Sequence, residues 1–198
     1  SARLAHYVLP CRTFYEAWDA TFFPWTYPEV YFQMRRPVVE PPDQCLEAAQ
    51  IHTLLADKLG IIPQISGEVQ QAAEADRLTF GAKLMEWAAN QPGAMAAMPF
   101  VLAKTLGPVL GACNLALLWG LIWSAPARFK ESMARAGYPE GEDQTEKVYG
   151  AIMDHPEGIW IGRLDPKRNL EFVTTADSRI HLDVPELATW LESVTPQA

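Results

Sequence analysis

The uncharged stretch of residues 106–125 constrains the fold more than any other part of this chain. Its length is close to what a helix needs to cross a bilayer. However, Gly107-Pro108 interrupts its start, Asn114 lies in its middle, and the flanking charges show no asymmetry. We therefore interpret residues 94–125 as two helices buried in a protein core, and we do not expect the membrane as a partner.

The spacing of apolar residues predicts further helices on both sides of this pair. Asp43 is a good N-cap residue and Gly60 a good helix terminator, so we expect a helix between them. A second amphipathic helix fits residues 68–90. Shorter helices are expected over residues 128–136, 145–153 and 185–194.

Short strands are expected near both ends of the chain. The apolar run 4–9 is bounded by Pro10, and residues 30–34 form an extended piece inside the long loop 11–40. The pattern therefore predicts a helix-dominated α/β fold. Strands near the other end are expected over residues 158–164 and in a hairpin of residues 170–173 and 180–184 about Asp177-Ser178.

Composition excludes several classes of protein. The 198 residues suit one domain, or one and a fraction, and 49% hydrophobic residues are ample for a core. The net charge of −8 and the lack of a basic stripe argue against nucleic acid as a partner. Three cysteines far apart in sequence do not suggest a disulfide framework. Because the chain opens directly on an apolar run without Met, we expect it to be a piece of a longer protein.

No complete active site is recognisable from the residues alone. The sequence has no Cys-x-x-Cys, no His-Glu-x-x-His, no glycine-rich phosphate loop and no Gly-x-Ser-x-Gly. We interpret the isolated candidates as ordinary structural or surface residues. They are His52, His155, His181, Cys11, Cys113 and the pair Arg35-Arg36.

A more specific signal comes from two stretches near the start of the chain. Residues 1–10 (SARLAHYVLP), followed by Thr13-Phe14-Tyr15-Glu16, resemble the segment T-A-x-x-A-D-x-V-L-P, then an aromatic residue and Glu, of molybdopterin-dependent oxidoreductases. Phe32-Gln33 and residues 36–42 (RPVVEPP) are similar to the "Q…VEPPGEA" segment of that family. Residues 55–60 (LADKLG) match the end of the helix that follows there. The family contains dimethyl sulfoxide reductase, formate dehydrogenase and nitrate reductase.

The resemblance implies a domain organisation. Residues 1–60 would be the end of a Rossmann-like α/β domain, and residues 61–150 a mostly helical insertion. Residues 151–198 would be short strands and a helix that lead towards a C-terminal cofactor-binding domain.

It also implies a cofactor, molybdopterin guanine dinucleotide with Mo or W. In such enzymes the metal ligand and any iron–sulfur cysteines lie upstream, so we expect this fragment to be inactive and without cofactor by itself. The expected partners are the remainder of its own polypeptide and an electron-transfer subunit. We expect a cytoplasmic location, with the periplasm as the alternative.

Four residues follow from the resemblance as candidates for cofactor contact: Glu16, Ala17, Glu47 and Ala48. Several members carry a Lys and an acidic residue at the positions of Ala17 and Ala48 that contact the dinucleotide. Alanine offers no side-chain hydrogen bond, so such contacts would use backbone groups or Glu47. Glu16 is expected to be a partly buried carboxylate that either accepts backbone N–H groups and fixes its loop or contacts the cofactor.

An alternative from another class remains open. The chain would then be a stand-alone helical interaction module that docks a partner or a membrane through residues 94–125.

Overall fold

The computed structural model describes residues 2–20, 28–169 and 173–194. The chain divides into two compact units, Ser1–Gly162 and Arg163–Ala198. The helices of the first unit are α1 Ala48–Lys58, α2 Gly67–Ala75, α3 Arg77–Ala89, α4 Met98–Leu110, α5 Cys113–Trp123, α6 Ala127–Arg135 and α7 Gln144–Asp154. The strands are β1 Asp19–Ala20, β2 Glu29–Phe32, β3 Met34–Arg35 and β4 Ile159–Arg163. The second unit contains α8 Pro166–Asn169 and α9 Pro185–Ser193. The predicted helix-dominated fold with short strands near both ends is confirmed.

Helices α4 and α5 form the centre of the first unit, as the uncharged stretch predicts. Gly111 reverses the chain between them at φ 84°, a conformation that glycine adopts without strain. Leu106 and Trp119 are almost completely buried. An added Cβ at Gly120 would lie 2.4 Å from Leu102 Cδ1, so the missing side chain lets the two helices approach closely.

Helices α4 and α5 are also the part of the chain to consider as a membrane span. Among the residues that the structure describes, no single helix is long and apolar enough to span a bilayer. Helices α4 and α5 together would have the necessary length and composition, but the chain bends by 116° between them.

The helix predicted over residues 68–90 is wrong as a single element, because α2 and α3 are separated at Asp76. Asp76 adopts an extended conformation with φ −161°, and its carboxylate accepts hydrogen bonds from the N–H groups of Leu78 and Thr79. An aspartate that caps the next helix in this way competes with continuation of the preceding one.

The first predicted helix also starts later than expected. Residues 43–44 form a turn, and α1 begins at Ala48. The reason is tertiary, since Leu46 forms a parallel bridge with Cys11 and cannot be helical at the same time. At its other end the prediction is confirmed, with Gly60 at φ 69°.

The strand predictions are also partly confirmed and partly wrong. The extended pieces at residues 30–34 and 158–164 are confirmed, with β1 antiparallel to β3 and β2 paired with β4. The strand expected over residues 4–9 is wrong, since this run has no strand partner in the described residues and Leu4 and Tyr7 are each 89% exposed.

The hairpin expected about Asp177-Ser178 is wrong where it can be followed. Residues 180–184 are not a strand, although the chain does turn at Ser178, with φ 53°. Residues 170–172 of this prediction lie outside the described residues. The helices predicted over residues 128–136, 145–153 and 185–194 are confirmed as α6, α7 and α9.

Candidate functional site

The loop that carries Glu16 is fixed by a local pair of hydrogen bonds. Glu16 Oε2 accepts the N–H of Thr13 at 2.8 Å, and the N–H of Glu16 donates to the Thr13 carbonyl at 3.0 Å. The neighbouring Tyr15 carbonyl accepts the N–H groups of Val38 and Val39. Glu16 is half-buried with its carboxylate hydrogen-bonded, which agrees with both alternatives for this residue, fixing its loop or contacting the cofactor.

Glu47 is a charged residue that is almost completely buried. It precedes α1, but its side chain does not cap that helix. Instead, Glu47 Oε2 accepts the N–H of Cys113 at 2.9 Å, at the first residue of α5, and the side chain is only 2% exposed. The unpaired N–H groups and the dipole make this end of α5 positive, so a carboxylate is favourable there.

Arg12 completes the surroundings of Glu47. Its Nη1 lies 4.0 Å from Glu47 Oε1, and that oxygen has no hydrogen-bond partner in the part of the chain that the structure describes. Arg12 Nε donates to the carbonyl of Cys45, and the Arg12 N–H donates to the carbonyl of Leu46. These bonds hold residues 10–12 alongside residues 45–46, directly before Glu47.

The same end of α5 also holds the Glu16 loop. Asn114, the second residue of α5, donates from Nδ2 to the carbonyl of Trp18 at 2.6 Å. Both candidate pairs, Glu16-Ala17 and Glu47-Ala48, therefore belong to segments that are fastened to the beginning of α5. We call the set of Arg12, Glu47, Cys113 and Asn114 the α5 junction.

Sequence reasoning missed three members of the α5 junction. Arg12, Cys113 and Asn114 were not connected with Glu47 by any local pattern, because 66 residues separate Glu47 from Cys113. The one available signal was Asn114, a polar residue within an otherwise apolar stretch.

The surroundings of Cys113 disfavour the thiolate form of its side chain. Burial raises the pKa of the Cys113 thiol to about 11, and the negative charge of Glu47 adds to the effect while Arg12 opposes it. The thiol is therefore protonated at neutral pH and is a poor nucleophile. Cys113 is partly buried, with its Sγ 3.9 Å from the Ala103 carbonyl, which agrees with the interpretation of this residue as a small core side chain.

Two of the other isolated candidates, His155 and His181, are engaged in local structure. His155 and His181 each lie 2.9 Å from a nearby carboxylate, that of Glu157 and that of Asp177. The hydrogen bond from His155 holds the pKa of Glu157 below its usual value. Over residues 2–20, 28–169 and 173–194, no group of three or more His, Cys, Asp or Glu is placed to hold a metal ion.

The paired arginines before Pro37 are engaged as well. Arg35 pairs with Asp19 at 2.6 Å and lies over the ring of Phe14. Arg36 donates to the carbonyl of Met153 and lies over the ring of Trp18. These contacts hold both arginine side chains against neighbouring residues.

Of the four candidate residues, only Glu16 has a polar side chain that is not buried. Glu16 is hydrogen-bonded to Thr13, and Glu47 is enclosed against Cys113. Ala17 and Ala48 carry no polar side-chain atom. Of the four, only Glu47 bonds to α5 through its own side chain.

Comparisons with protein-family models, with curated proteins and with solved structures found no match to this chain.

Proposed function

We propose that this chain is part of a molybdopterin-dependent oxidoreductase and acts there as a scaffold without catalytic residues of its own. The observation that carries the proposal is the pairing of the two stretches that resemble that family. The carbonyl of Tyr15 accepts the N–H of Val38 at 2.8 Å and the N–H of Val39 at 3.3 Å. Residues 13–16 and residues 36–42, which belong to the two stretches that resemble that family, thus lie side by side and form one wall.

The exposed apolar side chains of the same wall support the proposal. Tyr7, Val8, Leu9 and Val38 are all largely exposed. Contiguous apolar side chains of this kind mark surfaces that are covered by another structure. We propose that the remainder of the same polypeptide, with an electron-transfer subunit as a further partner, provides that cover.

The intact enzyme would hold molybdenum or tungsten on molybdopterin guanine dinucleotide, which supplies two-electron chemistry with oxygen-atom or hydride transfer. This chain would keep the loop of residues 10–19 in place through the α5 junction. All three cysteines are free, as is usual in a reducing compartment, and we propose a cytoplasmic location.

The test is to isolate, from its native host, the polypeptide that carries this sequence. An antibody raised against this chain allows its purification. We expect a mass well above 22.1 kDa, with molybdenum or tungsten and pterin close to stoichiometric. A native polypeptide of about this mass without metal and pterin would overturn the proposal.

A second candidate function rests on an apolar groove of about 460 Å³ between α1, α4 and α5. Part of its lining comes from residues 94–125, namely Pro99, Phe100, Ala103 and Leu117. If the chain is an interaction module, a partner segment or a membrane surface would contact this groove.

Sedimentation with lipid vesicles and capture of host proteins, each compared between the chain and Leu59→Asp, test this candidate. Leu59 lines the groove and is strongly exposed, so the substitution leaves the fold intact. Identical behaviour of the two proteins would exclude the groove as a docking site.

A further inference from the structure

We draw no further inference here: the strongest candidate, the exposed apolar face that Leu187, Trp190, Leu191 and Val194 form at helical spacing along α9 and its C-cap, carries none, because nothing in the structure shows what covers it.

Discussion

At the scale of single residues, the buried carboxylate of Glu47 is the contact that decides how the α5 junction holds together. Glu47→Ala leaves the Cys113 N–H without its acceptor and removes the negative charge that lies 4.0 Å from the Arg12 guanidinium. We expect the free energy of unfolding to fall by about 2–3 kcal/mol in urea titrations, since hydrogen bonds to charged groups are among the stronger ones. Glu74→Ala, at an exposed glutamate, serves as control and should change it by less than about 0.5 kcal/mol. Equal effects of the two variants would contradict the role given to Glu47.

The Cys113 thiol gives a second residue-scale prediction, which concerns pH. In the unfolded chain its pKa is near 9.0, and in the folded chain it is raised to about 11. Between these two pH values the folded state binds more protons than the unfolded state. The contribution of the thiol to the free energy of unfolding is therefore complete below pH 9 and is lost as the pH rises towards 11.

Urea titrations from pH 8 to pH 10 measure this effect, with Cys113→Ala as the comparison. We expect the variant to lose less stability over that range than the unaltered chain. Tyr149, whose pKa burial raises to about 12, contributes mainly above this range in both proteins. Parallel pH profiles would show that the thiol is not buried as described.

At the scale of elements, two helical glycines give a matched test of the packing between α4 and α5. In Gly120→Ala the new Cβ meets Leu102 Cδ1, whereas the space around Gly150 in α7 is open. We expect Gly120→Ala to destabilise by about 1–3 kcal/mol through overpacking. Gly150→Ala should instead stabilise by about 0.5–1 kcal/mol, because alanine is the better helix former. Thermal and urea unfolding of both variants measure the contrast, and a stabilising Gly120→Ala would refute the close approach of the two helices.

At the scale of the whole molecule, Leu118 and Leu121 decide whether α5 belongs to the core. Both lie on α5, but Leu118 is 4% exposed and Leu121 is 52% exposed. Leu118→Asp would bury an unpaired charge, and we expect a loss of roughly 3–5 kcal/mol or failure to fold. Leu121→Asp should change the unfolding free energy by less than about 1 kcal/mol. Similar behaviour of the two variants in urea unfolding would mean that α5 is not packed as the structure has it.

The tie between α3, α5 and α7 shows why the whole molecule cannot be derived from its separate patterns. Glu146 of α7 accepts the indole N–H of Trp119 at 2.6 Å and pairs with Arg77 of α3 at 2.9 Å. Each residue looks like an ordinary helix residue in the sequence. Their meeting depends on how three helices pack.

Local chemistry determined the helices and their ends wherever one short segment contains the whole cause. The uncharged stretch gave a buried helix pair because so many apolar side chains lose contact with water only inside a core. Gly60 ended α1 because glycine adopts a left-handed conformation without strain. Asp76 is equally visible in the sequence. Whether this residue continues α2 or caps α3 depends on small differences in free energy, which the spacing of apolar residues does not report.

The α5 junction, in contrast, was decided by tertiary structure alone. Glu16 and Glu47 were selected through resemblance. The carboxylate of Glu16 binds the nearby backbone N–H of Thr13, whereas that of Glu47 binds the N–H of Cys113, 66 residues away. A strand needs a partner strand: residues 4–9 find none among the described residues, whereas residues 10–12 pair with residues 45–46. A sequence pattern shows which side chains must leave water, but only the folded chain decides which distant donor or acceptor meets each polar group.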